Sequence, residues 1–180
     1  RSDVNARHIS AIAAVVALGL SAPALAGPTG KRVGSFTAMG TGTVAAQGNM
    51  TAAFGKIKGS IVVRDRVGGA VVKVRGVAQT PRLVTSDGRT IRVFTIPKAK
   101  GTFFIKGANV RITLASGANA ISVTMIGRGK VTRLSGDGTY SVNDENSLNW
   151  ADAVPPIPIA PPPAGSVRTT QALQAAAALS

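Results

Sequence analysis

Apolar and β-branched residues recur in short runs between Gly34 and Val142, separated by Gly, Asn and Asp. This spacing is typical of short strands joined by tight turns. Apolar side chains alternate with polar ones over 110–114 and again over 121–125, as in strands that bury one face and expose the other. The pattern keeps no helical period here and therefore predicts an all-β domain.

The pattern divides this region into about ten short strands. Gly68-Gly69 and Asp87-Gly88 fit two-residue hairpin turns, in which glycine adopts positive φ without steric penalty. Pro81 and Pro97 cannot donate ladder hydrogen bonds and mark strand ends or edges. Phe94, Phe103 and Phe104 occupy strand positions and are expected to pack in the core or against a facing strand. The predicted strands lie near 41–47, 50–58, 60–66, 70–77, 82–86, 90–96, 101–106, 109–115, 120–126, 130–134 and 138–142.

Two short glycine motifs recur along the domain. Gly-Ala-Asn occurs at 107–109 and 117–119, and Gly-x-Gly-x-Val/Tyr occurs at 40–44, 127–131 and 136–140. We interpret the second motif as hairpin glycines, because it precedes no helix and so cannot form a phosphate loop. Repetition of this kind suggests a duplicated meander or a solenoid of stacked coils. The short hairpin spacing favours an antiparallel sandwich or roll, with a β-solenoid as the alternative.

The first 26 residues contain the three parts of a secretory signal peptide in order. Arg1 and Arg7 are positive, Ala11 to Leu20 is apolar, and Ala24-Leu25-Ala26 supplies small residues for cleavage. The alternative is a retained membrane anchor, but about 20 apolar residues are needed to span a bilayer, and Pro23 ends this run early. We therefore predict a signal helix that is cleaved after Ala26, and export to the periplasm, the cell surface or the medium. No integral membrane span is expected after cleavage.

The end of the chain is rich in proline and alanine. Residues 155–163 contain six prolines, which favour an extended polyproline conformation and argue against a sheet or helix. Residues 169–180 have high helix propensity, but so short a helix is marginal in water. We predict a β-domain over 27–150 and a disordered tail over 151–180, with a docking helix in the tail as the alternative.

The chain is strongly basic. It has 21 Lys and Arg against 7 Asp and Glu, a net charge of +14. Loss of the predicted leader leaves 19 basic and 6 acidic residues, a net charge of +13. Only Asp65 and Asp87 are acidic between Gly27 and Gly136. Such a charge attracts anionic polymers and surfaces, with an affinity that falls as salt rises.

The side chains used most often in catalysis and metal binding are missing. Cysteine is absent, and the one histidine, His8, lies in the predicted leader. This composition excludes Ser-His-Asp and Cys-His nucleophiles in the mature chain, and zinc, haem and iron–sulfur sites built from their usual ligands. We predict no cofactor, no metal and no enzymatic activity. A polysaccharide-active enzyme using Asp65 and Asp87 is the third hypothesis.

Oxygen-bearing side chains cluster near the end of the domain. We interpret them as turn residues rather than calcium ligands, because Asn and Asp favour turns and the spacing fits no EF-hand loop. They are Asp137, Asn143, Asp144, Glu145 and Asn146.

Five pairs of basic residues have a spacing of two, which in a strand places both members on one face. If the pairs align across strands, they form a positive stripe for successive phosphates or carboxylates. The alternative is a solvated outer face that opposes aggregation. The candidate anion-binding pairs are Lys56 and Lys58, Arg64 and Arg66, Lys73 and Arg75, Lys98 and Lys100, and Arg128 and Lys130.

These observations lead to two main hypotheses. The first is a non-enzymatic structural or adhesive envelope protein that contacts lipopolysaccharide, teichoic acid or an acidic polysaccharide. Specific nucleic-acid binding is disfavoured because few aromatic residues are present for base stacking. The second is a carbohydrate- or protein-binding module in which Trp150 or Phe104 forms an exposed platform.

The Gly- and Thr-rich strands and the ending GDGTYSVND at 136–144 resemble small exported β-repeat proteins of bacterial envelopes. That group carries no assigned activity. The resemblance covers roughly residues 34–145 and implies a β fold more than a function.

Overall fold

A computed structural model describes residues 33–86, 88–117 and 120–162. The predicted signal peptide and the alanine-rich end of the predicted tail lie outside these residues. Within the described ranges the chain forms eight strands and one 3₁₀ turn, Trp150–Asp152. The strands are β1 Gly34–Asp65, β2 Val71–Val74, β3 Val77–Ala78, β4 Arg82–Ser86, β5 Arg89–Ala115, β6 Ile121–Val142, β7 Leu148–Asn149 and β8 Ile157–Ile159.

The strands form one sheet with the order β3-β2-β5-β1-β6-β7, and β4 pairs with β5 while β8 pairs with β6. All pairings between these described strands are antiparallel. The prediction of an antiparallel all-β fold is confirmed. The β-solenoid alternative is wrong, because its coils would stack with parallel pairing. None of the described segments is a helix long and apolar enough to cross a membrane.

β1, β5 and β6 are long, and each combines several of the predicted short strands. Residues 61–65 of β1 pair with 92–96 of β5 on one side and with 110–114 of β5 on the other. Residues 36–40 of β1 likewise pair with two separate segments of β6, 121–125 and 138–142. Since a strand has only two edges, β5 and β6 must curve until two parts of each flank β1. The sheet therefore coils on itself and encloses the core.

Opposed glycines allow β1 and β6 to approach closely. Gly42 faces Gly136, and Gly40 faces Gly138. A Cβ added to Gly42 would overlap the carbonyl oxygen of Ser135 on the facing strand. The Gly-x-Gly motifs at 40–44, 127–131 and 136–140 therefore lie within paired strands, and the interpretation of this motif as hairpin glycines is wrong. In this sheet the absence of a side chain serves close packing of two backbones rather than a reversal of the chain.

The core consists of the inward-facing residues of the long strands. Val110, Ile112 and Leu114 are fully buried, as their alternation with polar residues predicts. The set Ile121, Val123 and Met125 is also fully buried. Burial of each large aliphatic side chain contributes about 1.5–3 kcal/mol. This continuous apolar interior holds the two long pairings of β1 in place.

The end of the chain contributes to the sheet up to β8, which corrects the predicted disordered tail. β8 pairs with residues 129–131 of β6, and Ile157 and Ile159 are buried on either side of the exposed Pro158. Proline is tolerated on an edge strand, where one side of the backbone needs no partner. Burial of the two isoleucines and pairing with β6 hold this segment in the sheet despite its prolines. The sheet therefore continues past residue 150 to Ile159.

Residues with positive φ form the turn between β2 and β3 and the turn that follows β6. The predicted strand 70–77 is wrong at its end, because Arg75 and Gly76 adopt φ values of 50° and 77° and form the turn between β2 and β3. The interpretation of Asn143 and Asp144 as turn residues is confirmed by their φ values of 52° and 58°. The Asn143 side chain accepts a hydrogen bond from Ser35 N at 2.9 Å, so it ties the turn to the start of β1.

Candidate anion-binding site

All ten basic residues of the five predicted pairs are exposed. They do not share one stripe. Arg64, Arg66, Arg128 and Lys130 lie near the C-terminal end of β1 and the middle of β6. The other six, Lys56, Lys58, Lys73, Arg75, Lys98 and Lys100, lie on or beside 50–59 of β1, β2 and 98–100 of β5.

The register of the sheet places four cations in one line across the strands. Each residue in this line is directly opposite the next, and opposite residues point to the same face. Its four basic side chains are exposed, and the other two members are half-buried. We call this line the basic row: Lys130 on β6, Gln47 on β1, Arg111 on β5, Arg64 on β1, Val93 on β5 and Arg82 on β4.

A groove of about 920 Å³ lies over the centre of the basic row. We call it the arginine groove, because four of its nine lining residues are arginines. Among the described residues that line it, none is acidic. They are Arg64, Arg66, Arg89 and Arg111, together with Val67, Val84, Ile91, Val93 and Asn109.

Arg64 and Arg111 are direct cross-strand partners inside the arginine groove. Like charges at directly opposite positions destabilise a sheet. Arg111 Nη2 donates a hydrogen bond to Gln47 Oε1 at 3.1 Å, a neutral acceptor that leaves its charge uncompensated. The groove thus concentrates positive charge that an anion would neutralise.

Asp65, which follows Arg64 in the chain, faces the other side of the sheet. Asp65 has a side chain with 0% exposure. Its Oδ1 accepts hydrogen bonds from Gly68 N at 2.8 Å and Val67 N at 3.2 Å, and its Oδ2 from Ala70 N at 2.9 Å. Arg92 Nη1 lies 4.0 Å from Oδ2. Asp65 therefore makes its contacts on the buried side of the sheet and is not among the described residues that line the arginine groove.

Of the two carboxylates named for the polysaccharide-active hypothesis, Asp65 is thus buried, and Asp87 lies outside the described residues. In the part of the chain that the structure describes, no group of three His, Cys, Asp or Glu side chains could hold a metal ion.

A second basic surface surrounds two phenylalanines. Phe54 and Phe104 face each other on β1 and β5, with 40% and 36% exposure, and Lys58 is opposite Lys100 nearby. Phe104 is thus a cross-strand packing residue outside the core. Arg75 lies in a turn, and its Nε donates to the carbonyl oxygen of Lys100 at 2.7 Å.

Trp150 cannot serve as the predicted binding platform. It is only 2% exposed, and its Nε1 donates to the carbonyl oxygen of Thr139 at 2.9 Å. Phe104 is the member of the predicted pair that solvent can reach.

Three arginines of the site lie outside the five predicted pairs: Arg82, Arg89 and Arg111. Pairs spaced by two describe neighbours along one strand, whereas the site is assembled across strands. The alternation over 110–114 did place Arg111 on an outer face, and this was the available signal. Comparison of the chain with protein-family models, curated proteins and solved structures gave no significant match.

Proposed function

We propose that the protein is a non-enzymatic anion-binding protein of the cell envelope, with a structural or adhesive role. The arginine groove would contact an anionic polymer such as lipopolysaccharide, teichoic acid or an acidic polysaccharide. The observation that carries this proposal is the direct opposition of Arg64 and Arg111 in a groove whose described lining has no carboxylate. The leader-like sequence at 1–26 supports export to the compartment where such polymers occur.

The chemistry of the groove supports an oxyanion as the ligand. A guanidinium group is planar and presents five donors, so it binds phosphate, sulfate or carboxylate through two parallel hydrogen bonds. Val84, Ile91 and Val93 line the groove beside the arginines. Apolar walls lower the local dielectric constant and strengthen such charge-assisted bonds.

Replacing both Arg64 and Arg111 by glutamine is expected to lower the affinity for heparin, used as a model polyanion, by about 100-fold. The physical reason is the loss of two charge-assisted contacts, each equivalent to about a tenfold change or more. Isothermal titration calorimetry at several salt concentrations measures the affinity and its salt dependence.

Lys58→Gln combined with Lys100→Gln is the matched control. It removes the same charge from another directly opposed pair, outside the groove. We expect its affinity to stay within about threefold of the wild type, because net charge contributes only a screened, long-range attraction. Equal losses in the two double variants would contradict a groove-specific site.

Arg64→Gln alone is expected to stabilise the ligand-free protein while it weakens anion binding. Removal of one of two directly opposite like charges should raise the free energy of unfolding by about 0.2–1 kcal/mol at low salt. Urea unfolding followed by circular dichroism measures this change. Arg66→Gln is the control, because Arg66 lies beyond the end of β1. A free energy of unfolding lower for Arg64→Gln than for the wild type would show that Arg64 and Arg111 do not destabilise the sheet by repelling each other.

A second candidate function is a carbohydrate- or protein-binding module centred on Phe54 and Phe104. The two exposed phenylalanines at directly opposite strand positions support it, because aromatic faces are common platforms for sugars and partners. In that case Phe104→Ala would reduce binding of a neutral polysaccharide and Arg64→Gln would not.

A further inference from the structure

The basic row extends beyond the arginine groove on both sides. Arg64, Val93 and Arg111 line the groove, whereas Lys130 and Arg82 lie farther along the row and outside that lining. Neighbouring strands are about 4.8 Å apart, so the six positions of the row follow the curved sheet for about 24 Å. The row is therefore longer than any single phosphate or sulfate group.

The spacing of cations along the row suits repeated charges. Arg111 and Arg64 are one strand apart, while Lys130 and Arg82 each lie two strands beyond them. The successive separations are thus about 10, 5 and 10 Å. A small anion could contact only the central pair, but an elongated ligand could contact all four.

The row is open at both ends. Lys130 is opposite Pro158 on β8, which pairs with β6, and Arg82 lies on β4, which pairs with β5. Within the described ranges, no strand pairs with the other edge of β4 or of β8. A chain lying across the strands could therefore continue past either end of the row.

The neighbouring line of residues adds two exposed cations beside the row. Asn49 is opposite Arg128 on β6, and Arg66 follows Arg64 by two residues, whereas Ile91 is opposite Val84. Of the described residues that line the groove, none is aromatic, so the groove offers no aromatic ring on which nucleic-acid bases could stack. The pattern favours a polymer recognised by its regular charge rather than by flat rings.

We propose that the ligand is an extended linear polyanion without bases, lying across the strands along the basic row from Lys130 to Arg82. This proposal rests on the proposed function of the arginine groove and adds the length and direction of its ligand. Repeated sulfate, carboxylate or phosphate groups supply the same chemistry, so sulfated glycans and polyphosphate are both suitable probes.

Heparin oligosaccharides of increasing length test the proposal by isothermal titration calorimetry. For the wild type, affinity is expected to rise at least about 100-fold from the disaccharide to a chain that spans the row, through the two added end contacts. The end variant, Arg82→Gln with Lys130→Gln, should bind the disaccharide within about twofold of the wild type and lose that gain on long chains. The Lys58→Gln, Lys100→Gln variant should keep the wild-type length dependence.

Polyphosphate chains of matched length form a second arm. The proposal is supported if affinity rises with chain length for either polymer and the end variant abolishes that rise. The polymer that binds with the higher affinity identifies the preferred anionic group. Equal affinity for short and long chains, or an equal loss by the end variant at every length, would overturn it. If Arg64→Gln still weakened the disaccharide in those cases, the proposed function would stand. Absence of any binding above that of neutral dextran would overturn both.

Discussion

Replacing Asp65 by alanine is expected to lower the free energy of unfolding by about 3 kcal/mol or more, since each buried donor left without a partner costs about 1–3 kcal/mol. The substitution removes a carboxylate that accepts three backbone N–H groups, from Val67, Gly68 and Ala70. It also leaves Arg92 without its 4.0 Å ion pair. Because domain stabilities are typically about 5–15 kcal/mol, this loss would unfold much of the population under mild stress.

The Asp65→Ala variant should be compared with Asp65→Asn by urea unfolding. Asparagine keeps one acceptor oxygen for Val67 and Gly68, but its amide nitrogen cannot accept from Ala70 N. We therefore expect a smaller loss for asparagine than for alanine. Both variants should also weaken heparin binding, because the loop that Asp65 closes carries Arg66 and Val67 into the groove. Losses below about 1 kcal/mol in both variants would contradict the assigned role.

Gly42→Ala is expected to prevent folding or to destabilise the protein by several kcal/mol. The new Cβ would overlap the Ser135 carbonyl and lie 2.9 Å from Gly136 Cα, so β1 and β6 would have to separate. Gly42 also has a φ of 127°, which L-residues rarely adopt. That conformation alone costs about 1–3 kcal/mol for a residue with a side chain.

Gly117→Ala is the matched control for this change. A Cβ at Gly117 meets nothing within 4 Å, and its φ is not in the strained range. We expect a stability within about 1 kcal/mol of the wild type, because only the freedom of the unfolded chain changes. Thermal unfolding of both variants separates the two cases. Similar melting temperatures would mean that the glycine pairs do not set the distance between β1 and β6.

The buried face of each strand could be predicted from sequence, but the lengths of the strands could not. Alternation identifies Val110, Ile112 and Leu114 as inward-facing, because strand periodicity is local. Glycine at Gly48 or Gly59 is compatible with either a turn or a curved strand, and only the facing strand decides between them. Both residues lie inside β1, Gly48 opposite Gly129 of β6 and Gly59 opposite Ala99 of β5. The predicted breaks at these two glycines are therefore absent, and the predicted strands join into one long strand.

The candidate site, like the strands, could be predicted from the sequence only in part. A spacing of two along the chain identified Arg64 and Lys130 as exposed, but it could not show which residues lie beside them. Arg64 is opposite Arg111 because β1 and β5 pair in one particular register. That register depends on the closure of the whole sheet. Composition indicated an anionic partner, whereas the line of cations required the tertiary fold.

The central position of β1 also has consequences for how the chain reaches its native state. Its two edges are covered by β5 and β6, and the contact between Ser35 and Asn143 joins residues 108 positions apart. A fold dominated by such non-local pairings has a high contact order and reaches its native state slowly, typically in milliseconds to seconds. During synthesis one edge of β1 stays unpaired until β6 has emerged from the ribosome. In that interval the nascent chain offers an open strand edge on which other chains can pair, until β6 covers it.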